Sequence, residues 1–246
     1  MRIKCIGCDA LARMIYLCAA QSPHLVDVTL YKLGLHRSPS DLQSRLQNEI
    51  DATPADAYDA VVMVYGLCGR TTAGITARSI PVVIPRAHDC ITLFLGSRAR
   101  YAEQHENQPG TYWYSQDYIE RSTVDGSLSA LGSVDSAAAG IEDEYATYVA
   151  KYGEDNAAYL MEAMGAWRAH YRRAAFLDMD LGGTQSVEQK ARDEAERRGW
   201  TFERVAGNLV LVRRLLNADW NEDFLILQPG QKLGMTYDDD IIRAED

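Results

Sequence analysis

Residues 60–69 read Ala-Val-Val-Met-Val-Tyr-Gly-Leu-Cys-Gly, a short apolar run that leads into a loop with a glycine-flanked cysteine. A second run, Pro81-Val82-Val83-Ile84, leads in the same way into Pro85-Arg86-Ala87-His88-Asp89-Cys90. Short continuous runs rich in β-branched residues are typical of strands buried on both faces of a parallel sheet. Each run therefore predicts a strand, and each predicted strand is followed by a loop that carries a cysteine.

Outward from these runs, strands and helices alternate along the first 101 residues. The predicted strands are Arg2–Gly7, Val26–Tyr31, Ala60–Val64 and Val82–Ile84. The predicted helices are Asp9–Ala20, Asp41–Ile50 and one that runs from Asp89 or Cys90 to Tyr101. This alternation predicts the α/β class, with a mostly parallel, Rossmann-like sheet flanked by helices.

The alternation resumes in the second half of the chain after a different middle section. Strands are predicted at Ala174–Met179, Trp200–Val205 and Phe224–Leu227, and helices at Val187–Arg198 and Asn208–Asn217. The predicted organisation is an α/β lobe over 1–121, an irregular loop plus a long helical connector over 122–173, and a second lobe over 174–234. An acidic tail over 235–246 is expected to fray.

Composition excludes several classes of function. The chain has 246 residues, is 47% hydrophobic and carries a formal charge of −10, which argues against a nucleic-acid partner because phosphate binding needs a basic surface. It lacks the apolar run of about 18 residues that a membrane span requires. The N-terminus enters a predicted strand at once, without a signal-peptide core, so a cytoplasmic location is expected. The five cysteines are irregularly spaced, which does not suggest a disulfide framework.

Three of the cysteines are predicted to meet at one edge of the sheet. Cys8 ends the first strand, and Cys68 and Cys90 follow the third and fourth. With a strand order of 2-1-3-4 these strands are neighbours about 4.8 Å apart. Cys90 is also expected at a helix N-terminus, where the helix dipole favours a thiolate. Sites of open α/β sheets lie at this carboxyl edge, so Cys8, Cys68, Cys90 and His88 predict a metal site.

The residues leave several chemistries open. Zinc would take the three thiols and His88 as a closed tetrahedron, or leave one position free for substrate. A [4Fe-4S] cluster would take three cysteines and leave one iron for His88, water or substrate. Without a metal, Cys68 or Cys90 would act as a nucleophile with His88 as its base. Plain burial is the competing explanation, since free cysteine is among the most buried residue types. It is the one expected for Cys18, and Cys5 is expected to point into the sheet.

Other residues are weaker candidates for catalysis or substrate binding. His36 ends the second strand and is a candidate catalytic group for proton transfer, beside His88. Arg86 and Arg70 flank the two cysteine loops and are candidates to bind a carboxylate or phosphate of a small-molecule substrate. Tyr112, in an aromatic segment after Pro109-Gly110, is a candidate wall of the substrate pocket.

Several segments resemble a bacterial and archaeal family known as domain of unknown function number 1638. They are Tyr65–Gly69, Pro85–Arg98, Pro109–Trp113 and Lys151–Asn156, with Leu35-His36 and Cys8 also fitting the family's pattern. The resemblance spans Ile3 to Pro229, and the segment around His88-Asp89-Cys90 makes it specific. The family has no settled activity. Its members often occur beside corrinoid-dependent methyltransferases for methylated amines and related one-carbon compounds.

The resemblance implies a setting in corrinoid-linked one-carbon metabolism. The leading hypothesis is a metal-dependent enzyme or redox protein that transfers methyl groups or electrons there. The alternatives are an accessory protein that binds a corrinoid protein or methyltransferase without turnover, and an α/β protein whose thiols are only packed. The chain has no Asp-x-His-x-x-Gly motif for corrinoid binding, so a cobalamin role would act through a partner. It also lacks the glycine-rich nucleotide motifs.

Overall fold

The protein is described by a computed structural model over residues 1–35, 38–121 and 171–246, with Val149 and Glu154 as single positions. Three predictions lie outside the described residues. They are the irregular loop and nearly all of the long helical connector predicted over 122–173, and the placement of His36.

The described chain forms ten strands and seven α-helices. The strands are β1 (Arg2–Cys8), β2 (Leu25–Tyr31), β3 (Ala60–Val64), β4 (Val82–Pro85), β5 (Thr111–Ser115), β6 (Arg173–Asp178), β7 (Thr201–Ala206), β8 (Phe224–Leu227), β9 (Lys232–Met235) and β10 (Ile242–Glu245). The helices are α1 (Ala12–Gln21), α2 (Pro39–Asp51), α3 (Cys90–Leu95), α4 (Arg98–Asn107), α5 (Gln116–Arg121), α6 (Gln185–Arg198) and α7 (Val210–Leu216). This confirms the α/β class.

The chain divides into two compact units. The first comprises Met1–Ala102, Met179–Leu181 and Ala206–Asp246, and the second comprises Glu103–Asp178 and Gly182–Val205. The strands β8, β9 and β10, which the sequence analysis had placed in the second lobe and the tail, thus belong to the first unit. Short apolar strands do not reveal their partners in sequence, because pairing is decided by long-range contacts.

The first unit contains a five-stranded sheet in the order β2-β1-β3-β4-β8. The first four strands pair in parallel, with Ile6 beside Met63 and Val62 beside Val83, as the predicted order 2-1-3-4 requires. β8 adds to β4 in the antiparallel direction. Every residue of β3 and β4 is buried, which explains their uninterrupted apolar sequences. On one face, α2 packs Leu42, Leu46 and Ile50, which recur every four residues within the predicted helix Asp41–Ile50.

The predicted helix from Cys90 to Tyr101 is two helices. α3 ends at Gly96, whose φ of +71° is left-handed, and α4 begins two residues later at Arg98. A Cβ on Gly96 would lie 2.7 Å from Cβ of Asn208 and 2.8 Å from its carbonyl oxygen. Glycine is therefore needed both for the turn and for this close approach, and it is what breaks the helix.

The expectation of a frayed acidic tail is wrong. β10 pairs with β9 in an antiparallel ladder from Ile242–Met235 to Glu245–Lys232. Ile241 and Ile242 are buried in the core of the first unit. Burial of the two isoleucines stabilises this segment, and the surrounding aspartates keep their hydration because they remain exposed.

The second unit contains a three-stranded sheet in the order β5-β6-β7, covered by α6. Its core includes Tyr112, Tyr114, Phe176 and Ala191. α6 ends at Arg198, as predicted, and is followed by Gly199 in the left-handed conformation. None of the helices within the described ranges is both long and apolar enough to cross a bilayer.

Candidate functional site

The predicted cysteine-bearing loops lie at the carboxyl edge of the five-stranded sheet. Cys8 is the last residue of β1, which lies between β2 and β3. Cys68 begins a short 3₁₀ helix after β3, and Cys90 is the first residue of α3 after β4. Because β1, β3 and β4 lie side by side in the sheet, three separate segments each place a thiol at this edge.

Two backbone hydrogen bonds hold the Cys68 and Cys90 loops together. The N–H of Leu67 donates to the carbonyl of Ala87, and that of Cys68 donates to His88, both at 2.8 Å. A Cβ on Gly66 would lie 2.7 Å from the backbone N and Cα of Asp89. The two loops therefore touch through backbone atoms, and only glycine fits at position 66 without moving them.

The Cys68 loop has a strained backbone. Cys68 has a φ of +46° and Arg70 a φ of +89°, both in the left-handed region that non-glycine residues avoid. The Thr71 hydroxyl donates to the carbonyl of Cys68 at 2.8 Å, and the Thr72 hydroxyl donates to Gly66 at 3.2 Å. Both threonines are fully buried, so they fix the loop in this conformation. Strain of this kind concentrates at functional sites.

The three thiols share one electrostatic environment. Burial raises the pKa of Cys8 to about 12, with a further contribution from Asp9. Burial also raises the pKa of Cys68 to about 12, and the charges of Asp89 and Cys8 add to the effect. The pKa of Cys90 is raised well above its ordinary value by burial, then by Asp89, Cys68 and Cys8. Ionising any one thiol therefore disfavours ionising the others.

The position of Cys90 at a helix N-terminus is confirmed, but the expected thiolate is not. Burial and the carboxylate of Asp89 outweigh the effect of the helix on the Cys90 pKa. Two backbone N–H groups oppose this trend at Cys68, since those of Gly66 and Cys90 lower its pKa. At neutral pH the three thiols are consequently protonated unless a cation binds them.

Asp89 connects the thiols to the helix that follows. Its carboxylate accepts hydrogen bonds from the N–H groups of Ile91 (2.9 Å) and Thr92 (3.4 Å) and so caps α3. It also accepts the hydroxyl of Tyr101 at 3.2 Å. Burial nevertheless raises its pKa, because these contacts only partly replace the lost water.

His88 lines a cavity of about 480 Å³ in the first unit. Its ring lies 5.7 Å from that of Tyr101, measured between centroids. Its backbone carbonyl holds the Cys68 loop, so the residue contributes to both the loop contact and the cavity wall. Its role as a metal ligand or acid–base group stays a prediction.

The predicted substrate-binding arginines contact the C-terminal segment. Arg86 donates through Nη1 to the carbonyls of Asp240, at 3.0 Å, and Ile242. Arg70 reaches the hydroxyl of Tyr237 at 3.5 Å. Both side chains therefore help to hold β10 and the turn before it next to the cysteine loops. Their contact with a substrate stays a prediction.

The remaining residues named from the sequence are Tyr112, the cysteines Cys5 and Cys18, and His36. Tyr112 is 1% exposed in the core of the second unit, with its ring 5.2 Å from those of Tyr114 and Trp200. Cys5 and Cys18 are fully buried, as expected of packing residues. His36 is outside the described residues, so its predicted role remains open.

No three of the described histidine, cysteine, aspartate and glutamate side chains are placed to hold a single metal ion. A metal at Cys8, Cys68 and Cys90 would therefore require their sulfurs to turn toward a common point. Rotation about χ1 between staggered positions moves a sulfur without moving the backbone. The donor set itself suits a soft metal, since thiolates are the ligands of zinc and iron–sulfur centres.

Comparison with known protein families shows which family the chain belongs to. Residues 30–216 match a family described as a protein of unknown function, DUF1638. The chain belongs to the DUF1638 family. The predicted resemblance is thereby confirmed, and the matched range of the DUF1638 chain contains Cys68, His88 and Cys90, while Cys8 precedes it. No curated protein matches this DUF1638 chain.

Sequence reasoning missed several residues around the site of this DUF1638 protein. Asp89 was not among the predicted site residues, yet it caps α3 and raises the pKa of two thiols. Its position directly before a short apolar helix was the available signal, since aspartate is a favoured N-cap. Asp238, Asp239 and Ile241 line the His88 cavity from the C-terminal segment. Nothing local in the sequence indicates this, because the contact spans about 150 residues.

Proposed function

We propose that Cys8, Cys68 and Cys90 bind a soft metal centre, either zinc or a [4Fe-4S] cluster, which serves a reaction of one-carbon metabolism. One observation carries the proposal: Cys8 at the end of β1, Cys68 after β3 and Cys90 after β4 lie at one edge of the sheet, near enough for Cys8 to raise the pKa of the other two thiols. Packing alone explains a buried thiol, but it does not require three of them at the ends of neighbouring strands.

The raised pKa values favour a metal over a free nucleophile. A cysteine nucleophile must be a thiolate at neutral pH, and its surroundings are usually electropositive. Here burial, Asp89 and the neighbouring thiols all raise the pKa of Cys68 and Cys90. A bound cation reverses this effect, because a coordinated thiol is deprotonated outright. The proposed centre therefore accounts for a cluster of thiols that the protein alone keeps neutral.

His88 is the proposed fourth ligand or acid–base group of this centre. It precedes Cys90 by two residues, and its ring lines a cavity large enough for a small substrate. The centre would bind at the thiols, while His88 would accept or donate a proton at the cavity. An open coordination position would give a substrate direct access to the metal.

Metal content after purification without oxygen tests the proposal. We expect either zinc near one equivalent, or iron with acid-labile sulfide and a broad visible absorption. Cys68→Ser and Cys90→Ser should each lose most of the metal. Cys18→Ala is the matched control, because it removes a fully buried thiol in α1 and should keep the metal. Metal-free wild-type protein that also fails to bind added zinc or reconstituted cluster would contradict the proposal.

Corrinoid-linked methyl metabolism in the cytoplasm is the proposed setting, and its support is the family resemblance. The described cysteines are all unpaired, which agrees with a reducing compartment. Methylcobalamin is a direct probe. Loss of its cobalt–carbon absorption only with metal-bound protein, in the presence of an added thiol that takes up the methyl group, would favour a methyl-transfer enzyme. Binding of a methylated corrinoid protein without turnover would favour the accessory role. If neither result is obtained, the proposed link to corrinoids is contradicted.

A further inference from the structure

The two edges of the five-stranded sheet differ in length and in what covers them. β8 forms one edge with only four residues, and β10 contacts it. β2 forms the other edge with seven residues, Leu25–Tyr31, and among the described residues no strand pairs with its outer side. An unpaired edge of this length presents a row of backbone N–H and C=O groups that another strand can bind.

The sequence of β2 lacks the features that protect an exposed edge. Such edges are commonly short or carry a proline, a lysine or an unpaired charge. The one charged residue of β2 is Asp27, and its carboxylate accepts hydrogen bonds from Arg2 and from the Tyr58 hydroxyl, both at 2.9 Å. By contrast, β7, an edge of the three-stranded sheet, carries Glu203 and Arg204. The outer side of β2 is therefore open to pairing.

The backbone of β2 presents every second residue to this open side. The N–H of Leu25 donates to the carbonyl of Met1 at 3.1 Å, so the backbone groups of Leu25 face β1. Backbone groups of successive residues point to alternate sides of a strand, and every second residue after Leu25 therefore also faces β1. The residues between them direct their N–H and C=O groups outward. These are Val26, Val28 and Leu30.

β2 matches a second copy of itself in the antiparallel direction. With Val28 of one copy opposite Val28 of the other, Val26 lies opposite Leu30 on each side of the centre. These are hydrogen-bonded pairs, in which the two residues exchange both of their N–H···O bonds. All the outward N–H and C=O groups of both copies are then paired. The arrangement has two-fold symmetry and closes with two copies, as in most homodimers.

Side chains and charges agree with this register. Leu25, which is 69% exposed, lies opposite Tyr31, so pairing removes apolar surface from water. Asp27 lies opposite the neutral Thr29, and no like charges face each other. Registers centred on other residues of the strand pair fewer residues, and one centred on Asp27 also opposes two carboxylates. Charge and hydrogen bonding therefore favour the same register.

We propose that β2 pairs with β2 of a second copy of this chain and forms a two-fold dimer in which the two five-stranded sheets join into one continuous sheet. Because the two copies run antiparallel, the carboxyl edge of one half of this sheet continues as the amino edge of the other half. The two sets of cysteine loops therefore lie at opposite edges of the dimer, and a single chain supplies each set. The dimer requires no metal.

Sedimentation velocity of the full-length protein under reducing conditions measures this dimer. We expect a dimer that dissociates on dilution with a Kd on the order of 10 μM. The Kd should fall several-fold between about 50 mM and about 500 mM NaCl, because each copy carries a net charge of −10 and salt screens their repulsion. A protein that stays monomeric at about 200 μM in both salts would overturn the proposal.

Amide hydrogen exchange resolved to single residues shows which strand pairs. The outward N–H groups, those of Val26, Val28 and Leu30, should exchange several-fold more slowly well above the Kd than below it. The inward N–H groups of Asp27 and Thr29 should not respond to concentration, because they donate to β1. Protection of the outward groups at every concentration would mean that another segment of the same chain covers the edge. Their rapid exchange in a dimer would place the contact elsewhere, and either result refutes the proposal.

Two variants of β2 test the pairing by substitution. Val28→Pro removes the central outward N–H, and proline is tolerated on an edge whose N–H faces solvent, so the fold should persist while the dimer is lost. Leu25→Lys should raise the dimer Kd several-fold, because it replaces the exposed apolar side chain. Should Val28→Pro fail to fold, Leu25→Lys decides.

Tyr237→Lys is the matched control for Leu25→Lys. It adds the same charge and removes another exposed apolar side chain, 93% exposed and outside β2, so the dimer Kd should change far less than in Leu25→Lys. A dimer with the wild-type Kd in the folded β2 variants would show that the two copies meet through another surface, and the proposed pairing would be refuted.

Discussion

Gly66 is the residue on which the thiol site depends most directly. A Cβ there would lie 2.7–2.9 Å from the N, Cα and C atoms of Asp89, and backbone atoms cannot turn aside as a flexible side chain can. We predict that Gly66→Ala separates the two cysteine loops, lowers the free energy of unfolding by about 1–3 kcal/mol and reduces metal binding. Urea unfolding and metal analysis measure the two effects.

Gly34→Ala is the control for this change. Gly34 has a left-handed φ of +91°, and a Cβ there would meet nothing within 4 Å. It should therefore cost stability through backbone strain alone and leave the metal content unchanged. A Gly66→Ala protein with full metal content would show that the loop contact is dispensable.

For Thr92 we predict a substitution that raises the stability of the protein instead of lowering it. Its buried hydroxyl is unsatisfied among the described residues, so replacing it with a methyl group removes a desolvation cost. Valine and threonine have similar helix propensities and shapes, and the cap from Asp89 uses the backbone N–H, which the change retains. Thr92→Val should stabilise the ligand-free protein by about 1 kcal/mol in urea unfolding. A loss of that size would indicate a hydrogen bond in the free state.

Among the elements, β10 is the one held by the arginines that flank the site. Arg86 donates to the carbonyls of Asp240 and Ile242, and Arg98 donates to Asp239. We predict that Arg86→Ala speeds amide hydrogen exchange in residues 240–245 about tenfold, because hydrogen bonds from a charged donor contribute about 1.5–3 kcal/mol. Arg78→Ala removes an exposed ion pair to Asp51 and is the control. Unchanged exchange in Arg86→Ala would show that the β9 pairing alone holds the strand.

The elements also show what sequence could and could not predict. The apolar runs of β3 and β4 and the alternation around them predicted a mostly parallel sheet with the cysteines at the carboxyl ends of its strands, while the order 2-1-3-4 was assumed. The antiparallel addition of β8 and the pairing of β10 could not be predicted, because strand partners across the chain leave no local pattern. The break at Gly96 had a local signal in the glycine, but its cause is the contact with Asn208.

At the scale of the whole molecule, the same long-range contacts decide the chemistry of the site. The sequence placed Cys90 at a helix start and so indicated a thiolate. Partial burial, followed by the effects of Asp89, Cys68 and Cys8, instead raises the pKa of this thiol in the folded protein. The cavity depends on contacts between the C-terminal segment and α4, which are equally distant in sequence. Residue types could thus be read from the chain, while their charge states depend on folding.

Global stability should report these charge states through its pH dependence. The folded pKa of Cys68 is raised to about 12, whereas an unfolded cysteine titrates near 8.5. Between these values the unfolded chain loses a proton that the folded protein keeps. The contribution of Cys68 to stability is therefore complete below about pH 8.5 and is lost progressively as the pH rises toward 12. Cys8, with a pKa also raised to about 12, acts in the same direction.

We predict that the free energy of unfolding of the metal-free protein falls between pH 9 and pH 10. In Cys68→Ala the fall should be shallower by about 1.4 kcal/mol per pH unit, the full effect of one thiol that ionises only when the chain unfolds. Urea unfolding at several pH values with a chelator present measures both slopes. Parallel slopes for wild type and variant would mean that Cys68 titrates normally in the folded protein. In that case the shared environment of the three thiols, and with it the main support for the metal centre, would be lost.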